Sequence, residues 1–393
     1  MKRSTAAIVA LLAGCNSGPD PSGGGVSIVQ VAPTGSTFVG SAVLGQSAMY
    51  VVTTQSLDVV RFAPDLALPS TWNEPVTSGG IELASAPDGT LWWAANVGFK
   101  SSLWTSSEPA FLSGPSAALT TFPGPEGSNV VGLAVDGTAV FAAVATPQPA
   151  NPPPGQVSPD AQAWPGTLPV DTPATGSIYR MDRSGAAAAQ ALDVPLGITF
   201  SPDFMLHVLA QTSTAVYWVD ASPGPQEIGH VMFAPKASWS AQQGKSLWGL
   251  AQINGLPMGF VGLAANDAYV AWAAAPEPFP GAVGCWIWAA PTGGAPKEIF
   301  DGDLVSTSFK CSGLAIDASY AYFAMVKVQQ AQGNVVVVGT GIGRVPLGGG
   351  PLQTVSLQSE RWYGPRRVLV DEANVYAIDP SYVLGFSKSA FGP

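Results

Sequence analysis

The chain has 393 residues, 47% hydrophobic and only 11% charged, with 45 Gly and 36 Pro, which excludes a coiled coil or a charged disordered chain and points to a loop-rich β protein. The formal charge of -10, from 26 acidic against 16 basic residues spread without runs, leaves no electrostatic footprint for nucleic acid or anionic lipid.

Residues 1–15, MKRSTAAIVALLAGC, open with Lys2 and Arg3 and run through an apolar stretch to Gly14 and Cys15, the pattern of an export signal. That stretch is too short to span a bilayer as a mature helix. The ending Leu12-Ala13-Gly14-Cys15 resembles the lipobox of bacterial lipoproteins. The resemblance implies removal of residues 1–14, a lipid on Cys15 and, with Asn16 where an Asp would retain the protein at the inner membrane, sorting to the outer membrane, on its periplasmic or surface side. Residues 16–25, NSGPDPSGGG, hold no apolar side chain and read as a flexible tether, which leaves 26–393 as the folded domain. No later segment offers ~18 consecutive apolar residues, so the lipid is the expected membrane contact.

Along the rest of the chain one phrase recurs: Leu-Ala-x-Asp or near it, a short turn, then an apolar-aromatic strand. Its clear copies are GLAVDGTAVF (132–141), VLAQTSTAVYW (208–218), GLAANDAYVAW (262–272), GLAIDASYAYF (313–323) and VLVDEANVYAI (368–378), preceded by the weaker AVLGQSAMYVV (42–52) and LASAPDGTLWW (83–93). A second strand-and-turn phrase follows as GSIYRMDRSG (176–185), GHVMFAPKAS (229–238), CWIWAAPTGG (285–294) and GIGRVPLGGG (341–350). Each unit is therefore one four-stranded antiparallel meander. Such a sheet cannot bury both faces alone, and radial stacking of copies gives a β-propeller.

Residues 144–175 carry nine prolines and no periodicity and read as an insert. With that insert removed, the domain allots 48 residues per blade to seven blades and 56 to six; blades of ~40–50 residues favour seven, with six as the alternative. The small residues that open the phrase suit innermost strands converging on a channel. The last unit is one strand short, and VSIVQVA (26–32) is expected to fill that slot and close the ring.

The segment AVYWVD (215–220) resembles the YWTD repeat of lipoprotein-receptor propellers, departing from it at the Thr position. Together with the lipobox and phrases such as RVPLGGG (344–350), the chain resembles uncharacterised bacterial lipoprotein propellers of YWTD and NHL type. That resemblance implies a fold and a compartment and supplies no catalytic residue.

Little in the sequence carries recognisable chemistry. With Cys15 lipidated, Cys285 and Cys311 remain in an oxidising compartment and are expected to form a disulfide across a blade junction. His207 and His230 are too few for a three-histidine metal site and read as structural. The GKS at 244–246 has Trp239 where a P-loop needs Gly, and VVVVGTGIG (335–343) reads as a strand-to-strand hairpin because Pro346 breaks the dinucleotide spacing. Asp88-Gly89 and Asp136-Gly137 read as turn formers. Of the twelve tryptophans, Trp92, Trp218, Trp272, Trp286 and Trp288 fall on repeat strands and should pack between blades, while Trp164, in the insert, is the candidate for surface recognition.

These readings lead to a monomeric, lipid-anchored binding or scaffold module with an envelope protein or glycan as partner, and with no cofactor or nucleic acid. The alternative is an enzyme, a lyase or hydrolase acting on polysaccharide, with carboxylates and Arg or His gathered from different blades at the channel mouth.

Overall fold

The computed structural model describes residues 26–30, 38–53, 58–62, 70–73, 81–97, 100–111, 118–122, 128–147, 174–185, 190–192, 209–220, 227–239, 244–251, 258–276, 284–302, 308–331, 334–357, 367–378 and 382–392. The expected lipid site Cys15, His207 and Trp164 lie outside them.

Seven four-stranded antiparallel sheets follow one another along the chain. Blade 1 spans 38–73, blade 2 81–121, blade 3 129–192, blade 4 209–251, blade 5 258–301 and blade 6 308–357. Blade 7 takes Arg367–Val370, Asn374–Ile378 and Tyr382–Ser387 from the end of the chain and Val26–Gln30 from its beginning. The closing ladder runs from Val26 opposite Phe386 to Gln30 opposite Tyr382. Each first strand lies against the first strand of the next blade, and the first strand of blade 7 lies against that of blade 1. These seven strands are the innermost ring, around a central channel.

The core is divided among the blade junctions, because each sheet has two faces and a neighbour on both. The strand Ala215–Asp220 shows why the sequence requires this. Val216 and Trp218 pack toward blade 3, among Phe141, Ile178 and Trp239. Ala215, Tyr217 and Val219 pack toward blade 5, among Phe260, Trp272 and Trp288. Side chains of a strand alternate between faces, so a strand buried on both must be apolar throughout. Trp92, Trp218, Trp272, Trp286 and Trp288 are all buried at such junctions.

The first turn of the blades is fixed by its own polar residue. In blades 3, 5, 6 and 7, Asp136, Asn266, Asp317 and Asp371 each use Oδ1 to accept two backbone N–H groups, for example those of Thr138 and Ala139, both at 2.7 Å. Thr212 does the same in blade 4 with its hydroxyl oxygen. These are side-chain-capped turns, for which Asp, Asn and Thr are suited because a short polar side chain reaches the backbone two or three residues on.

Two expectations need correction. The strands Ala139–Pro147 and Ala174–Asp182 continue into the expected insert, so the connection outside the ladder is 148–173 rather than 144–175; Pro147 pairs opposite Ala174 at the ladder's end, where a missing N–H is tolerated. The glycines of VVVVGTGIG are not a hairpin turn: they lie inside the single strand Asn334–Pro346, which pairs along its length with Tyr320–Ala331. There Gly343 leaves room for the Phe323 ring, which a Cβ would approach to 2.7 Å.

Cys285 and Cys311 are joined by a disulfide with Cα atoms 5.4 Å apart. It ties the segment entering the third strand of blade 5 to the innermost strand of blade 6, and both residues are buried. Such a bond belongs to oxidising compartments and indicates a non-cytoplasmic protein. Among the described residues no helix is long and apolar enough to cross a membrane.

Candidate functional site

The two faces of the ring are built differently. At the face where each innermost strand ends, tight turns lead into the second strand, and in blades 2, 3, 4 and 7 the residue that follows the third strand reaches back to the blade before it. Arg183 of blade 3 meets Asp88 of blade 2 at 2.7 Å, Lys236 of blade 4 meets Asp136 of blade 3 at 2.7 Å, and Lys388 of blade 7 meets Asp317 of blade 6 at 2.6 Å. Each cation also lies over a ring of that preceding blade: Trp92, Phe141 and Tyr322. Glu108 of blade 2 holds the same position with opposite charge, accepting the N–H groups of Gln46 at 2.8 Å and Ser47 at 3.0 Å in the first turn of blade 1. There the turn begins at Gly45 instead of Asp, and a Cβ on Gly45 would stand 2.6 Å from the Glu108 carboxylate. This face is a belt of blade-to-blade latches.

A cleft of about 590 Å³ opens on the same face between blades 6 and 7. Four of its charged side chains, Asp317, Arg344, Asp371 and Lys388, are already engaged within the protein. Asp317 accepts from Tyr322 and Lys388, Asp371 accepts from Tyr376, and Arg344 donates to Gln353 and Gly392 while stacking on Tyr320 and Phe391. Burial, and then the bond to Asp371, push the Tyr376 hydroxyl up to about 12, so it remains a donor. The cleft is the seam of a latch.

The opposite face is where the innermost strands begin and where the second strands hand over to the third. The 148–173 connection leaves from it, between Ala139–Pro147 and Ala174–Asp182. Just inside this face, the ring of first strands carries a regular position four residues before the capped turn. In blades 3, 5 and 6 it is Gly132, Gly262 and Gly313. A Cβ on Gly262 would meet Leu314 of the next blade at 2.5 Å, and Gly313, with φ +61, has the Arg367 Cα 3.0 Å from where its Cβ would be. Close approach of neighbouring strands is the reason for glycine here.

Three consecutive blades break that rule. Blade 7 places Arg367 at this position, blade 1 Ser41 and blade 2 Glu82. Ser41, 1% exposed, accepts the Leu83 N–H at 2.7 Å on its hydroxyl oxygen and donates to Glu82 Oε2 at 3.2 Å. Arg367 is 8% exposed, and Glu82 is half-buried. Burial pushes the Glu82 carboxyl from 4.5 up to about 7, against the opposing pull of the Arg367 charge and the Ser41 hydroxyl. Burial likewise lowers the Arg367 guanidinium, and the nearby Glu82 charge offsets part of that. A carboxyl that changes charge near neutrality beside a fixed cation can accept hydrogen bonds, exchange a proton or orient a polar ligand.

None of these three residues was singled out by sequence reasoning, which stopped at the apolar phrase beginning one position later. The available signal was the opening letter of that phrase, Gly in GLA at 132, 262 and 313, but Glu before Leu83, Ser before Ala42 and Arg before Val368. Of the residues that were singled out, Cys285 and Cys311 meet as a bond remote from this cluster, at the junction of blades 5 and 6. His230 lies on the third strand of blade 4, its Nδ1 3.2 Å from Ser246 Oγ. Asp88 and Asp136 are capped-turn residues held by Arg183 and Lys236.

No protein-family model matches the chain, and no curated protein sequence matches it. Solved structures do. A streptogramin B lyase is similar at 12% identity with a TM-score of 0.56, over 93% of this chain and 97% of that one. A virginiamycin B lyase from Staphylococcus aureus is similar at 10% identity with a TM-score of 0.54, over 92% and 99%. An acylaminoacyl peptidase from Pyrococcus horikoshii is similar at 9% identity with a TM-score of 0.52, over 88% of this chain and 52% of that longer one. At such identities the likeness shows a shared fold, the β-propeller, and leaves function to the site.

Proposed function

We propose that this protein is a lipid-anchored extracytoplasmic binding module, tethered through Cys15 and residues 16–25 to the outer membrane, with the face that carries the 148–173 connection turned to its partner. The observation that carries the reading is the asymmetry of the ring: one face is locked by Lys236, Arg183, Lys388 and Glu108, whereas the other gathers the longest connection and the polar break at Ser41, Glu82 and Arg367. Rigid scaffolds bind through the loops of their irregular face. Trp164 lies on that connection and supplies an aromatic anchor. The test uses cells fed an alkyne fatty acid and expressing wild type, Cys15→Ser and a variant lacking residues 148–173. Label on wild type but not on Cys15→Ser, with envelope proteins or glycans retained by wild type and lost from the folded deletion variant, is the expected result. Equal labelling of both proteins, or unchanged retention by the deletion, overturns it.

A second reading, an enzyme acting on envelope polysaccharide, is favoured by Glu82, since general acids and bases work best with pKa values near the operating pH. Two of the similar structures are lyases, and they lend this reading a fold precedent only.

A further inference from the structure

The strand that closes the ring also fixes where the chain enters it. Val26–Gln30 is the outermost strand of blade 7 and runs antiparallel to Tyr382–Ser387. The third strand ends at the latch face, since Lys388 follows it and holds Asp317 there. Val26 lies opposite Phe386, near that end, and Gln30 lies opposite Tyr382, where the third strand begins at the other face. The chain therefore enters the propeller at the latch side.

We propose that the latch face is the membrane-facing surface of this protein, lying over the lipid headgroups when Cys15 carries its lipid, so that the face with the 148–173 connection points away from the anchoring bilayer. This deepens the binding reading above and rests on the lipid at Cys15. Ten residues, 16–25, separate that cysteine from Val26. They span at most about 35 Å fully extended, and about 18 Å on average for a Gly-rich chain. Bringing the opposite face to the bilayer would require more. Next to blade 7, the second strand of blade 6, Tyr320–Ala331, runs twelve residues away from the latch face, a rise of about 40 Å. With the latch face down, the same tether needs no such stretch.

The chemistry of that face sets how it meets lipid. In all seven blades the tip of the first turn is exposed through small or polar residues, among them Gln46, Asp88, Ser213, Asp267, Ser319 and Glu372. Among the described residues, no exposed tip of these turns carries a Lys, an Arg or an aromatic ring. Such a surface has nothing to insert among acyl chains and no charge that attracts anionic headgroups. The latch cations Arg183, Lys236 and Lys388 are committed to carboxylates. The face is thus held at the bilayer by the lipid and the tether alone.

The test uses the mature, lipidated protein in phosphatidylethanolamine and phosphatidylglycerol vesicles that carry a headgroup nitroxide lipid. Cys285 and Cys311 are bonded and buried, so one added cysteine takes a fluorescent label selectively. Ala318→Cys places the label at an exposed turn tip of the latch face. Lys327→Cys places it on the same second strand, seven residues beyond Tyr320 and about 23 Å toward the other face. Both variants are first shown to keep the wild-type thermal transition. The label of Ala318→Cys is expected to be quenched at least twofold more than that of Lys327→Cys, with Cys15→Ser protein staying off the vesicles. Equal quenching in vesicle-bound protein, or stronger quenching of Lys327→Cys, overturns the orientation while the anchor stands. Protein with Cys15 that does not float with the vesicles, or Cys15→Ser protein that floats with them, overturns the lipid anchor and the orientation together.

Discussion

Lys236 Nζ lies 2.7 Å from Asp136 Oδ2, so the residue that follows the third strand of blade 4 holds the first turn of blade 3. The same carboxylate spends its Oδ1 on the N–H groups of its own turn. Burial pushes the Asp136 carboxyl upward, but the Lys236 bond and the turn N–H groups together outweigh it and hold it at about 2. The folded value lies below the unfolded one, so this stabilisation is present above about pH 4 and is lost as pH falls toward 2. We expect Lys236→Ala to cost about 1–2 kcal/mol in urea denaturation at pH 7, between exposed and buried pairs, with the difference from wild type shrinking below pH ~3.

Ring closure gives a second expectation. Without Val26–Gln30, blade 7 keeps three strands and Tyr382–Ser387 becomes an open edge. A variant lacking residues 26–30 should melt earlier and self-associate in size-exclusion chromatography, and a synthetic peptide of residues 26–32 should reverse both, because an unpaired edge templates pairing. An unchanged transition and a monomeric elution would show that blade 7 closes without this strand.

The blades were legible because their phrase repeats in one register: an apolar strand, a polar turn residue such as Asp136 or Asp371, and a second apolar strand. The missing strand of the last unit made closure legible too. The site was hidden for two physical reasons. Ser41 and Glu82 open the two units whose phrase is worn most, and Arg367 sits at the other end of the sequence. Only the contact of blade 7 with blade 1, a consequence of closure, places all three around one stretch of the ring. Turn geometry also fixes the register, since counting back from Asp371 puts Val368 at the position held by Leu133, Leu263 and Leu314 in blades 3, 5 and 6.

The disulfide closes a loop of 26 residues across the junction of blades 5 and 6, worth about 3 kcal/mol in the chain-entropy account. Both sulfurs are buried, so the Cys285→Ser, Cys311→Ser double variant should lose about that much stability in urea denaturation while keeping the wild-type circular dichroism. Equal stability of the two proteins would mean that the core around Phe323 and Leu314 holds the junction unaided.

Glu82 should also leave its mark on stability. Its folded pKa is raised above the unfolded value, so its protonated form favours folding: the contribution is complete below about pH 4.5 and is lost as pH rises through 7. Wild type should therefore lose up to about 3 kcal/mol between pH 5 and pH 8 through this group, and Glu82→Gln should lack that slope. Parallel pH profiles for the two proteins would assign the slope to other carboxylates.

The central claim is that Ser41, Glu82 and Arg367 form a built site in the innermost ring, and titration of the Glu82 carboxyl tests it most directly. With carbon-13 in the glutamate side chains and Glu82→Gln to assign the resonance, the account predicts one carboxyl titrating near 7, well apart from the ordinary glutamates. A Glu82 resonance titrating near 4.5 would contradict it, because it would mean that water solvates this carboxylate freely and that the break in the glycine ring encloses no site.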